Sequence, residues 1–161
     1  MGHIWVFIQA ILFLLYVFTL IFSTGASWGA WRWLGALLAL LGAWVGLAAL
    51  RMHGRKLTPL PEPNPALGLQ RTGVYAVIRH PMYTGLLLSA FGLAILAQKP
   101  LAIAAAGALT AFFNLKAREE ERRLQRCYPD YADYHRATGR FLPRWRQWTP
   151  VCSRSMLTKR E

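Results

Sequence analysis

Four apolar runs, separated by short polar breaks, set the character of this chain. Ile4 to Phe22 is nineteen residues long, with Gln9 as its one strongly polar member. Such a run is long enough to span a bilayer. Trp28, Trp31 and Trp33 follow, a residue type suited to membrane interfaces, and then a second run, Leu34 to Leu50. Met82 to Ala97 and Leu101 to Leu115 are the third and fourth, joined by Gln98-Lys99-Pro100. So tight a turn, with Pro placed to start the next helix, predicts an antiparallel helical hairpin. At ~1.5 Å per residue each hairpin helix is only marginally long enough for a ~30 Å core. The pattern predicts an all-α polytopic membrane protein with four transmembrane helices over 4–22, 34–50, 82–97 and 101–115. A cleaved signal peptide is the rival for the first run, because Ser23-Thr24-Gly25-Ala26-Ser27 follows it. The missing Lys or Arg at its start and its length favour a retained helix.

Between and after these runs the pattern changes. Gly35, Ala39, Gly42, Ala43 and Gly46 recur at helical spacing and predict a face for close helix approach. A loop is expected over 57–80, where Pro59, Pro61, Pro63 and Pro65 exclude a regular helix. Leu124, Cys127, Tyr128, Tyr131 and Tyr134 form an amphipathic stripe. It predicts a cytoplasmic C-terminal amphipathic helix over 116–137, broken or restarted at Pro129. Residues 1–150 are expected to form one domain, with 151–161 a flexible tail.

Charge gives the runs an orientation. Nineteen Lys and Arg stand against seven Asp and Glu, and of the basic residues only Arg32 and Lys99 fall in the two turns on the far side. This asymmetry predicts that both termini and the working face are cytoplasmic. It also argues for anionic membrane lipids rather than nucleic acid as the partner of the basic surface. Cys127 and Cys152 lack any metal-site or disulfide-framework spacing, so no metal is expected.

Three polar constellations lie near the ends of the apolar runs. Arg79-His80-Pro81 precedes the third helix. Pro81 suits the first helical position, and the unpaired N–H groups of that helix end add to the donors of Arg79 and His80. Together they suit a carboxylate or phosphate, or equally a positive flank pinning the helix to lipid headgroups. Lys116-Ala117-Arg118-Glu119-Glu120-Glu121 lies at the exit of the fourth helix, with Lys116 and Glu120 on one face. The hairpin turn returns it to the side of Arg79 and His80. Tyr131-Ala132-Asp133-Tyr134 and Thr138-Gly139-Arg140-Phe141 bring aromatic and guanidinium groups, suited to covering a cofactor or anchoring an interfacial helix.

At these residues the sequence resembles the isoprenylcysteine carboxyl methyltransferase family of integral-membrane, S-adenosylmethionine-dependent enzymes. The resemblance runs from about Thr58 to Pro143 and includes Gly73-Val74-Tyr75-Ala76, Arg79-His80-Pro81 with Tyr83 and Gly85, Lys99-Pro100, Glu120-Glu121, the Tyr131 and Tyr134 pair, and Thr138-Gly139. It implies a cytoplasmic cofactor pocket and a lipophilic methyl acceptor admitted from the bilayer. By that resemblance Tyr75, Arg79, His80, Tyr83, Tyr131 and Tyr134 belong to the cofactor side, and Glu120 to the family's functional glutamate. Lys116 stands where many relatives have Arg, so Lys116, Arg118 or Arg140 would hold an acceptor anion. The resemblance implies methyl transfer to an isoprenylcysteine-like carboxylate. The other readings are a phospholipid, thiol or phenolic-lipid acceptor, an NADPH-dependent membrane reductase, and a non-enzymatic membrane adaptor.

Overall fold

A computed structural model describes residues 2–53 and 68–144. Helix α1 is Gly2–Phe22, α2 Arg32–His53, α3 Pro81–Leu96, α4 Pro100–Cys127 and α5 Tyr131–Ala137. Short 3-10 turns at Gly29–Trp31 and Gly73–Ala76 precede α2 and α3. The only strand-like pairing among the described residues is one isolated parallel bridge, Ile78 to Gly139. Residues 57–67 of the predicted loop, with all four of its prolines, and all of the predicted tail lie outside the described residues.

His3–Phe22, Gly29–Met52 and Pro100–Cys127 are long and apolar enough to cross a membrane. The remaining apolar helix, Pro81–Leu96, is shorter, so the described chain has three full-length candidate spans rather than the four expected. At 16 residues and ~1.5 Å each, α3 falls short of a ~30 Å core. It is instead the most enclosed helix, packed between α2 on one side and α4 on the other. That explains why it is apolar all round rather than along one stripe.

The α2–α3 pairing is close because both helices present small residues. A Cβ at Gly42 would lie 2.5 Å from the Ser89 backbone nitrogen, and one at Gly85 2.5 Å from that of Gly46. Gly35 and Ala39 meet α3 at Leu96 and Gly92 in the same way, whereas Ala43, expected on this face, is exposed. On the other side of α3, Leu87, Ala90 and Ala94 meet Ala102, Ala106, Leu109, Phe112 and Phe113 of α4, with Tyr16 of α1. The Tyr16 hydroxyl donates to the Ala90 carbonyl at 2.7 Å. Large side chains such as Phe7, Leu14, Leu37 and Trp44 stay exposed on α1 and α2, as a lipid-facing surface requires.

The α3–α4 turn is a Schellman cap. Gln98 takes a left-handed backbone (φ 59°), and the Lys99 and Gln98 N–H groups donate to Ala94 and Ile95 carbonyls, both at 3.0 Å. Pro100 then starts α4 at its first turn. The helical stretch expected over 116–137 is broken at Pro129, as its sequence predicts. Residues 116–127 are the continuation of α4, and α5 is a distinct seven-residue helix. Pro129 explains the break, since it forces Tyr128 into the extended backbone seen there (φ −127°, ψ 109°).

Candidate active site

The site is assembled by three segments that meet at one end of the α3–α4 hairpin. The strand-like stretch before α3 runs beside the segment after α5. Arg79 N–H donates to the Gly139 carbonyl at 2.8 Å, His80 N–H to the Arg140 carbonyl at 3.1 Å, and Gly139 N–H to the Val77 carbonyl at 3.1 Å. Two side chains lock this seam: the Thr84 hydroxyl donates to the Phe141 carbonyl at 2.8 Å and the Tyr134 hydroxyl to the Tyr75 carbonyl at 2.8 Å. The last turns of α4 lie across it and supply the carboxylates.

Glu121 is the hub. One oxygen accepts from Arg79 Nε at 2.9 Å and from Arg140 Nε at 3.1 Å, and the other from an Arg140 terminal nitrogen at 2.6 Å. Arg140 therefore grips the carboxylate with two donors, and its remaining terminal nitrogen donates to Asn114 Oδ1 at 2.7 Å. Arg79 also donates to the carbonyls of His135 and Thr138. Its guanidinium is thus a clamp between α4 and the C-terminal segment, more than a donor open to a ligand. Glu120 faces the other way. It accepts from the Tyr83 hydroxyl at 2.5 Å, and its second oxygen lies 3.4 Å from His80 Nδ1.

His80 sits between the two carboxylates, its ring stacked on Tyr83 at 5.5 Å with the planes 2° apart. Burial pushes its pKa down, but the close carboxylates of Glu120 and Glu121 outweigh that and the net shift is upward. Its Nε2 is 3.3 Å from a Glu121 oxygen without the alignment of a hydrogen bond. His135, on α5, is pushed the other way, by burial and by the Arg79 charge. Tyr75, Tyr131 and Tyr134 are buried beside the cluster. Burial raises all three phenols, that of Tyr134 to about 12, so each is a neutral hydroxyl. The Tyr131 hydroxyl is buried with no hydrogen-bond partner among the described residues.

Beside the cluster opens a hollow of about 490 Å³, lined by Arg79, Asn114, Thr138, Arg140, Phe141 and neighbouring residues through Arg144. No group of side chains among the described residues is arranged to hold a metal ion.

Of the candidates named from sequence, Arg79, His80, Tyr83, Glu120 and Arg140 are brought together, with Tyr75, Tyr131 and Tyr134 behind them. Lys116 is buried at the edge of the cluster, between α1, where its ammonium donates to Gln9 Oε1 at 2.7 Å, and the Tyr83 ring, 5.6 Å away. Arg118 is exposed on α4, outside the cluster. Sequence reasoning named Glu121 and Thr138 only within motifs, with no role of their own, and passed over Asn114. Asn114 and Glu121 are seven residues apart, two helical turns, and that spacing is the signal that places them on one face.

Comparison with known proteins shows the family. The family model for phospholipid methyltransferase matches residues 30–131. The nickel-cobalt-cadmium resistance protein NccN of Alcaligenes xylosoxydans xylosoxydans is 32% identical over 130 residues, covering 75% of this chain and 57% of that protein. Protein-S-isoprenylcysteine O-methyltransferase of Saccharomyces cerevisiae is 30% identical over 114 residues, covering 68% of this chain and 48% of that one. The solved structure of the eukaryotic intramembrane Ras methyltransferase ICMT (isoprenylcysteine carboxyl methyltransferase) matches with a TM-score of 0.64 and 27% identity, over 84% of this chain and 51% of that one. This chain spans about half the length of the relatives it matches. The expected kinship with isoprenylcysteine carboxyl methyltransferases holds, and the chain is an integral membrane protein that belongs to the phospholipid methyltransferase family.

Proposed function

We propose that this chain moves a methyl group from S-adenosylmethionine to a lipophilic acceptor, an isoprenylcysteine-like carboxylate, at the cytoplasmic face of a membrane. The observation that carries the reading is the convergence of Arg79, His80, Glu120, Glu121 and Arg140, at 2.5–3.4 Å from one another, beside an open hollow. Arg51, Arg71, Arg122, Arg123 and Arg126 gather at the same end of the helices, which supports a cytoplasmic placement and contact with anionic lipid.

The residues suit such a cofactor. It carries both signs of charge and an aromatic base. The hollow offers Arg144 to a carboxylate and Phe141 to a base, with the negative charge of Glu121 nearby. The orphaned Tyr131 hydroxyl is a buried polar atom that a ligand group would satisfy. When bound, the cofactor supplies a sulfonium methyl group open to in-line displacement. A carboxylate acceptor is already nucleophilic, so no residue need remove a proton. The chain's part is to align the two reactants and to keep water away. Arg79 and Glu121 fix the seam that walls the hollow. Glu120, held by Tyr83 and His80, orients the donor or the acceptor. Arg140 is the cation best placed to meet an acceptor anion, because it lines the hollow whereas Lys116 is enclosed by α1.

A phospholipid headgroup is the second reading, favoured by the family model that matches all of α2 through α4. Calorimetric titration of the purified chain in lipid discs with S-adenosylhomocysteine and with NADPH tests the donor. Binding of the first alone is expected; binding of NADPH alone indicates a reductase, and binding of neither removes the enzyme reading. Labelled methyl transfer to a panel of prenylcysteines, phospholipids, thiols and phenolic lipids then identifies the acceptor. Glu120→Ala is expected to lower turnover at least tenfold, and unchanged turnover removes Glu120 from the site.

A further inference from the structure

Gln9 lies on α1, before the first residue matched by the family model, yet it points into the protein. Its neighbours one turn away on either side, Trp5 and Phe13, pack on Phe112 and Phe113 of α4 at ring separations of 5.7 and 6.2 Å. Between these two aromatic pairs the Gln9 side-chain oxygen accepts from Lys116 Nζ at 2.7 Å. Lys116 is nearly fully buried, and its ammonium sits 5.6 Å from the centre of the Tyr83 ring. Tyr83 in turn donates to Glu120 at 2.5 Å, and Glu120 reaches His80. A continuous line of polar and cation–π contacts therefore runs from the first helix to the start of α3.

We propose that Gln9 is a positioning residue: by holding the Lys116 ammonium against the Tyr83 ring, it fixes the Tyr83–Glu120 pair at the site. A glutamine suits this task in apolar surroundings. Its neutral carbonyl directs the ammonium without the cost of burying a second full charge. A cation over an aromatic face is attracted to it most strongly where water is excluded, so the position of the ammonium constrains the ring. Helix α1 thereby becomes part of the active site and not only a membrane anchor.

Two measurements on the full chain in lipid discs test this, using Gln9→Leu, Gln9→Glu and Tyr83→Phe. Leu is favourable in a membrane helix, so Gln9→Leu is expected to insert and fold. The first measurement is thermal melting, which needs no activity. The melting shifts of Gln9→Leu and Tyr83→Phe are expected to be non-additive in the double variant by about 2 °C or more. The second, which rests on the methyltransferase reading, is kinetic. Gln9→Leu is expected to lower turnover about tenfold while S-adenosylhomocysteine affinity stays within about twofold, and Gln9→Glu, which keeps the oxygen, to recover most of the loss. Additive melting shifts overturn the proposal whether or not the cofactor binds. So does unchanged turnover in Gln9→Leu, or a Gln9→Glu variant as impaired as Gln9→Leu. Failure of the wild-type chain to bind S-adenosylhomocysteine counts against the methyltransferase reading alone, since the melting measurement still decides the contact line.

Discussion

The two ends of the α3–α4 hairpin are both polar, and they are built differently. At the turn end, the side chains of Gln98 and Lys99 go to backbone. Gln98 Oε1 accepts from the Trp28 N–H at 3.0 Å, the Gln98 carbonyl accepts from Ala26 at 2.8 Å, and Lys99 donates to the Ser23 carbonyl. At the other end, charged side chains meet one another, with Arg79, Arg140 and His80 around Glu121 and His80 again beside Glu120. Every acidic residue among the described ones lies from Glu119 onward. Backbone groups at a helix end must be satisfied in any fold, so the turn end needs no further purpose. Gathering like and unlike charges at low exposure costs desolvation that packing alone does not require. The contrast separates a cap from a site.

The largest expected effect falls on the hub. Glu121→Gln keeps the shape of the side chain and removes the charge that both arginines share. Arg79 and Glu121 are each less than a tenth exposed, so the variant strands a cation in the interior. A loss of about 3–5 kcal/mol of stability is expected, read by thermal melting, together with loss of S-adenosylhomocysteine binding. If melting is unchanged, the charges at this end are no more costly than those at the turn, and the distinction fails.

How much of this was readable in advance follows from what each feature depends on. The hairpin was legible because Gln98-Lys99-Pro100 is local: a turn, then a helix-starting Pro. The small-residue face of α2 was legible by spacing, except that Ala43 falls outside the strip that α3 covers. Arg79-His80-Pro81 stood out because polar side chains beside an apolar helix are costly. What spacing could not settle was direction. Glu120 and Glu121 are adjacent, so they point about 100° apart on α4, and only the position of α3 and of the 138–144 segment makes one of them the hub. The same holds for Lys116 and Arg118, two residues apart on opposite sides of the helix, one enclosed by α1 and the other exposed. The return of Gly139 and Arg140 alongside Val77 to His80 is a contact across some sixty residues and leaves no periodic trace.

A smaller effect probes the same cluster through pH. His80 is faced by Glu120 and Glu121 of α4 and by Tyr83 of α3, with Arg79 adjacent in sequence. Its pKa is higher folded than the ordinary value of about 6.5, so its protonated form stabilises the fold. That contribution is fully present below about pH 6.5 and is lost as pH rises through the folded value. The melting-temperature gap between the wild type and His80→Asn is therefore expected to narrow as pH rises above about 6.5. A gap that widens over that interval would mean the imidazole is held neutral, and the two carboxylates do not act on it as drawn.

The smallest effect belongs to the turn, and its value is as a control. Gln98 is the one described non-glycine residue with positive φ, a conformation that costs an L-residue roughly 1–2 kcal/mol. Its side chain offsets part of that through the bond to Trp28 N–H, worth about 1 kcal/mol. Gln98→Ala keeps the strain and loses the bond, so a loss of about 1 kcal/mol is expected in thermal melting. Gln98→Gly loses the same bond but relieves the strain, and the two changes offset to leave stability near that of the wild type. Neither variant is expected to move S-adenosylhomocysteine affinity, because the turn lies at the opposite end of α3 from Arg79 and His80. A matched drop in affinity would show that the two ends communicate along the hairpin, and that the cap is also a support for the site.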